Sequence, residues 1–412
     1  MNITAAHWLP LVCRPKPSGL PLANRIGDLG KAMREAKNVD RFRQVAHASE
    51  VFNAAALIAS DAGLADLARD LCWRHYDIFT SEGDPEPDLA ALALQPVLNI
   101  PRQLIRDGAG TYAYELLERL YRAAQQQGAA DICGHSVDLS AATRGAENHR
   151  KICTQLWAAV LSDGTRALAQ AGRWIDAAEV MTAHRGVGHR LLDGRQALVM
   201  SLLQRGRPDQ AITVLDNTTP TEPWEHTVAA VLRLYCRAQT VSIAGDELDT
   251  ALGEALTLVE KPEPTTIVFR IRVGLTALDL AGSHVTPRTR RLRHALTTTA
   301  RTDAYAARDA LAHGTTAETM TLEERLALER VVKESGLAPG EIAPDLIDAM
   351  LATVESAECE LRSLLRASTR SCRPDSPASP RDHKRWNTAP RSILIDGRQT
   401  NSETSSTLLH RA

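Results

Sequence analysis

The densest group of residues able to do chemistry is His184-Arg185-Gly186-Val187-Gly188-His189-Arg190, followed by Asp193, Gly194 and Arg195. Backbone amides beside two glycines, with three arginines close by, suit a phosphate or carboxylate, above all at a helix N-terminus. Arg185, Gly186, Gly188, His189, Arg190 and Arg195 are therefore the candidate ligand-binding residues. A short G-x-G without a preceding strand lacks the spacing of a dinucleotide fingerprint. The competing reading, a turn between helices whose arginines are solvated, is the favoured one.

Cys133-x-His135 and His149-x3-Cys153 supply four residues of zinc-binding type, but a single residue inside the first pair is an unusual spacing. Buried or small apolar cysteines and surface histidines explain them better, and no metal is expected. Arg288, Arg290, Arg291, Arg293 and His294, just after Pro287, could contact phosphates or an acidic partner. The run is short and has no interleaved aromatics, so a solvated helix start is the simpler reading. Glu222 and Glu225 flank Trp224 where acids favour a helix N-terminus. The sequence holds no G-x-S-x-G elbow, no G-x4-G-K-[ST] loop, no H-E-x-x-H helix and no kinase motif set. No catalytic residue and no cofactor is expected.

What must position these residues is a helical chain. Ala, Leu, Arg, Glu and Asp are abundant in the 412 residues, aromatics make up only 4%, and β-branched runs are scarce outside stretches such as Thr265 to Val268. A large parallel sheet is thereby excluded. The formal charge of −2 conceals an asymmetry. From Arg366 onward nine Lys or Arg stand against four Asp or Glu, a balance of +5 that leaves −7 for the rest. Seven scattered cysteines without a C-x-x-C pair suit a reducing cytoplasm. No basic start with an apolar run suggests export, and no stretch approaches the roughly 20 apolar residues of a membrane span.

Residues 1–38 read as an irregular lead-in, with Pro10, Pro15, Pro17, Gly19 and Pro21 close together and little to bury. From Asp40 the apolar residues fall at three- and four-residue intervals, beginning with Phe42, Val45, Phe52 and Ala56. Helical faces then follow to Ala367, and such short helices must pair to bury them. Gly63, Gly108, Gly172 and Gly206 each end a helical run, and an alanine follows five residues later: Ala68, Ala113, Ala177 and Ala211. Glycine closes the first helix, and the small alanine lets its partner approach. Gly172 and Gly206 are 34 residues apart.

This pattern resembles degenerate tetratricopeptide (TPR) repeats, most clearly over Leu161 to Pro223 and more weakly over Val51 to Ala124. Bulky residues fall eleven before the glycine at Phe52, Val97 and Leu161, with Arg195 in the last unit. Ala59, Leu104, Leu168 and Leu202 fall four before it, and Cys72, Leu117, Met181 and Leu215 nine after it. Trp174 supplies one aromatic and Pro223 the closing proline. The chain is also similar to the repeat half of actinobacterial regulatory proteins whose repeats follow a helix-turn-helix domain, which is not evident here. The resemblance implies an all-α fold, an α-solenoid of TPR-like antiparallel helix pairs over 39–260. Further helices with a polar end cap are expected over 261–368, and a disordered basic tail over 369–412. It implies a non-enzymatic cytoplasmic adaptor or regulator that binds a protein or peptide partner. The alternative is a transcription-associated sensor of a small anion or of DNA.

Overall fold

Glycine ends helices where its spacing predicts. The computed structural model describes residues 7–35, 39–81, 89–239, 245–282, 284–337 and 342–371. Gly63, Gly108, Gly172 and Gly206 all have positive φ, between 70° and 85°. The residue after each glycine donates its N–H to the carbonyl four residues before the glycine, on Ala59, Leu104, Leu168 and Leu202 respectively. These are four copies of one helix-closing turn, in which the left-handed residue costs glycine nothing. The alanines five residues on are all fully buried. Phe52, Val97, Cys72, Leu117, Met181, Leu215 and Trp174 are buried as well, and so is Arg195.

The described chain is mostly helical, and each helix packs chiefly on its sequence neighbours. The first helices are α1 (Leu22–Glu35), α2 (Arg41–Asp61), α3 (Ala65–Ser81), α4 (Ala90–Arg106) and α5 (Gly110–Gln125). A β-hairpin follows, β1 (Ala129–Ile132) with β2 (His135–Asp138). Next come α6 (Ala146–Ala159), a π-turn at Val160–Gly164, α7 (Thr165–Gln170), α8 (Trp174–Ala183), α9 (Asp193–Gln204) and α10 (Pro208–Asp216). The series continues with α11 (Pro223–Arg237), α12 (Gly245–Val259), α13 (Ile267–Ala281), α14 (Pro287–Ala300), α15 (Ala304–Ala312), α16 (Gly314–Thr319), α17 (Leu322–Glu334) and α18 (Pro344–Ser371). Successive contacts run α2 to α3, α3 to α4 and onward to α14 and α15, with α17 packed on α15.

Both ends of the described chain depart from the expected layout. Residues 1–38 are not irregular throughout, because α1 presents Leu22, Ile26 and Leu29 as a buried stripe at helical spacing. Helix α18 runs three residues beyond the expected boundary at 368 and packs against α2, α1 and α3, not as a cap on α17. Met350, Val354, Ala357, Leu361 and Leu365 are its buried stripe. Two hydrophobic cores result, and the ends cross between them. Helix α18 belongs to the core of α1 to α6, whereas Leu9 and Leu11 belong to the core of the later helices. The basic tail beyond Ser371 lies outside the described residues.

The hairpin is the one feature that is not helical among regular elements of the described residues. Cys133 and Gly134 both have positive φ, 54° and 84°, which gives the two-residue turn that matches the twist of paired strands. No helix among the described residues is long and apolar enough to cross a membrane.

Candidate functional site

Residues 7–20 cross the later helices as a 3-10 turn at His7–Trp8 followed by irregular chain, tied at successive points. Leu9 and Leu11, on either side of a cis Leu9–Pro10 bond, are both buried in the core. The fully buried Gln196 of α9 holds the backbone of Leu11 at both of its polar groups. Its Oε1 accepts from the Leu11 N–H at 2.7 Å, and its Nε2 donates to the Leu11 carbonyl at 2.7 Å. The same amide nitrogen also donates to the Leu191 carbonyl at 2.9 Å, which fixes its orientation.

The segment continues over α13 and α15. The Arg14 guanidinium grips both oxygens of Asp193. The Lys16 N–H donates to the Thr265 carbonyl at 2.8 Å. The Gly19 N–H donates to Asp303 Oδ2 at 2.7 Å, and the Gly19 carbonyl accepts from Ala304 N at 3.0 Å. A Cβ at position 19 would stand 2.8 Å from the Ala304 nitrogen, so only glycine permits this approach. Asp303 serves two tasks, since its Oδ1 caps α15 through the Ala306 N–H. Beyond the segment, Arg25 of α1 donates to Asp61 at the end of α2 and to the Tyr305 hydroxyl of α15.

Around Arg14 and Lys16 cations outnumber acids. Arg14, Lys16, Arg102, Arg166, Arg272 and Arg308 face three carboxylates, those of Asp163, Asp193 and Asp309. Asp163 sits in the π-turn, a widening of the helix that is frequent at functional positions, and is almost wholly buried. Arg102 Nε approaches one of its oxygens at 2.9 Å, and Arg166 takes the other. Burial pushes the Asp163 carboxyl up, but Arg102 and Arg166 more than offset it and hold it well below the usual carboxylate range. Asp309 is shared in the same way by Arg272, at 2.7 Å, and Arg308, at 3.9 Å.

Lys16 has no such carboxylate at ion-pair distance among the described residues. Its side chain is exposed to solvent, yet desolvation by the surrounding protein is the leading cause that lowers its pKa to about 7, with Arg272 and Arg166 adding repulsion. The arrangement therefore binds backbone through an amide side chain, buries apolar side chains beside it, and sets an exposed lysine among arginines.

The loop singled out by sequence is built differently. Arg195 is buried and spends its guanidinium on the Gly188, Val214 and Asn217 carbonyls and the Thr218 hydroxyl, at 2.7 to 3.2 Å. Arg190 pairs with Glu225 at 2.7 Å and Glu222 at 2.9 Å. Burial pushes the Glu225 carboxyl up, but Arg190 and the Leu191 and Thr221 amides more than offset it and keep it below its usual range. Glu225 also accepts from the Glu222 N–H at 3.2 Å, so it is both helix cap and loop anchor. Gly186 packs on Leu161 and Met181, where a Cβ would collide. Arg185, Gly188 and His189 are exposed. The loop thus directs two of its three arginines to internal partners.

The four zinc-type residues go separate ways. The His135 ring stacks on Trp73 at 3.9 Å, Cys133 Sγ lies 3.8 Å from the Tyr112 hydroxyl, and His149 Nε2 is 3.1 Å from the Ala124 carbonyl. Among the described residues no three His, Cys, Asp or Glu side chains converge as metal ligands. In the basic run, Arg288 pairs with Asp249 at 3.0 Å.

Gln196, Arg14, Lys16 and Asp163 were not singled out by sequence. The available signal was the pair of leucines, Leu9 and Leu11, within the proline-rich stretch, followed by Arg14-x-Lys16. No family model, no curated protein and no solved structure matches this chain.

Proposed function

We propose that the chain is a non-enzymatic, TPR-like α-solenoid adaptor or regulator that binds an extended protein or peptide segment. The surface that takes the partner is the track now filled by residues 7–20, and these residues act as a resident ligand that the partner displaces. The observation that carries this reading is the two-sided grip of Gln196 on the Leu11 backbone. Main-chain hydrogen bonds give affinity for any extended chain, and flanking pockets select its side chains. Unpaired cysteines suit the cytoplasmic setting expected from sequence, since Cys13, Cys72, Cys133, Cys153, Cys236 and Cys359 are all free thiols.

Crosslinking and mass spectrometry of the full chain in cell extract test this reading. A partner is expected to crosslink beside Asp193, Thr265 or Asp303, and to do so more strongly when Leu11→Asp loosens the resident segment. Recovery of no protein with either chain contradicts it.

The excess of cations around Lys16 favours a second reading, a sensor of a small anion. Phosphate-driven binding to arbitrary duplex DNA, the nucleic-acid version, weakens steeply with salt. A flat salt response or no binding at low salt removes that version.

A further inference from the structure

In the basic run of α14, Arg288, Arg290, Arg291 and His294 are exposed and Arg293 is half-buried. Arg290, Arg293, His294 and Thr297 are spaced i, i+3, i+4 and i+7, so they share one face of the helix. That face forms one wall of a cavity of about 210 Å3, closed by Thr316, Thr319 and Met320 from α16 and its end, and by Glu324 of α17. The volume lies below the roughly 300–1,000 Å3 of drug-sized sites, so its occupant is small.

The cavity's charges are uncompensated. Neither Arg290 nor Arg293 has an ion-pair partner among the described residues, in contrast to Arg288 on the same helix. The Arg293 Nε is buried without a hydrogen-bond partner, and such a donor costs free energy until something accepts from it. Glu324 is the one acid in the lining, and its Oε2 is already engaged by the Thr321 N–H at 2.9 Å and hydroxyl at 3.1 Å. Thr297 donates its hydroxyl to the Arg293 carbonyl, and Thr319 donates to the Thr315 and Thr316 carbonyls. Recognition of a guest therefore falls to the two guanidiniums and the His294 ring.

We propose that this cavity binds a small phosphate species, held between the guanidiniums of Arg290 and Arg293. Arginine forks match the oxygens of a phosphate group and are the usual choice for it. The site shares no residue with the track of residues 7–20, so it stands or falls apart from the peptide-binding reading.

Titration calorimetry on the full chain at fixed ionic strength, with inorganic phosphate and with methyl phosphate as probes, tests the proposal. Saturable binding of at least one probe is expected, and the better of the two tells free phosphate from an ester. Arg290→Gln with Arg293→Gln weakens it at least tenfold and each single change at least threefold, while Arg291→Gln, which removes one charge outside the cavity, changes it less than twofold. Glu324→Gln strengthens binding. Thermal melts of each variant establish that it is folded. No saturable binding of either probe, or equal losses with Arg291→Gln and the double variant, overturns the proposal.

Discussion

Gln196 holds the Leu11 backbone by both its N–H and its carbonyl, across 185 residues of sequence. That clamp makes residues 7–20 a bound segment. Replacing Gln196 with Ala removes the partner of three backbone groups, the Leu11 N–H and carbonyl and the Leu191 carbonyl, each worth about 1–3 kcal/mol when buried and unsatisfied. The Leu11 amide is expected to exchange its hydrogen at least tenfold faster in Gln196→Ala, as read by hydrogen-exchange mass spectrometry. Unchanged protection would mean that the apolar contacts of Leu9 and Leu11 hold the segment alone.

Asp163 offers a test of the charge network. Removing one member of a buried ion pair typically costs about 3–5 kcal/mol, because the other charge is stranded. Asp163→Ala leaves Arg102 and Arg166 facing each other and is expected to destabilise within that range in urea melts. Its folded-state pKa is depressed, so its contribution is present above the unfolded carboxyl pKa and is lost as pH falls through the folded one. The variant's stability curve should therefore converge on the parent's at strongly acidic pH.

His75 gives a slope of the same sign, but from an unpartnered group that costs stability. It is fully buried between Phe52 and Phe79, neither ring nitrogen has a partner, and burial lowers its pKa to about 3. The unfolded chain takes up this proton near pH 6.5 and the folded chain does not, so stability falls by about 1.4 kcal/mol per pH unit between those values. His75→Phe keeps the stacking and removes both the slope and the unsatisfied nitrogens. It should raise the melting temperature more at pH 5 than at pH 8.

Lys16 predicts a slope on the alkaline side. Its folded pKa of about 7 lies below the ordinary lysine value, so the unfolded chain binds more protons between pH 7 and about 10.5. Stability tied to this residue rises with pH across that window. Melts of Lys16→Met and parent compared from pH 6.5 to 10 should show the variant's advantage shrinking as pH rises. A constant difference would mean that the protein around Lys16 does not lower its pKa.

The turns were legible because their physics is local. A glycine whose φ must be positive, with a fully buried alanine five residues later, announces itself at Gly63, Gly108, Gly172 and Gly206. Leu9 and Leu11 were not legible as core, because a proline-rich stretch that cannot be helical was equated with one that has nothing to bury. What buries them is Gln196 and the surrounding helices, a pairing that no local pattern encodes. Helix α18 taught the same lesson. Its apolar stripe was visible, but not that the stripe would seat on α2 nearly three hundred residues earlier. The hairpin was missed since four-residue strands leave little periodic signal, although Cys133-Gly134 is a turn dipeptide with the required glycine. For the loop of Arg190 and Arg195, residue type was read correctly and the partners were not, because Glu225 and the Val214 carbonyl are distant in sequence.

The most direct measurement is fluorescence anisotropy of a labelled peptide of residues 7–20 added in trans. If the track is a peptide-binding surface, the peptide binds weakly to the parent chain, whose own segment competes. It binds at least tenfold more tightly to Leu11→Asp, in which that segment is loosened, and Gln196→Ala in the Leu11→Asp background lowers the affinity again. Equal absence of binding to all three folded chains would contradict a displaceable resident segment.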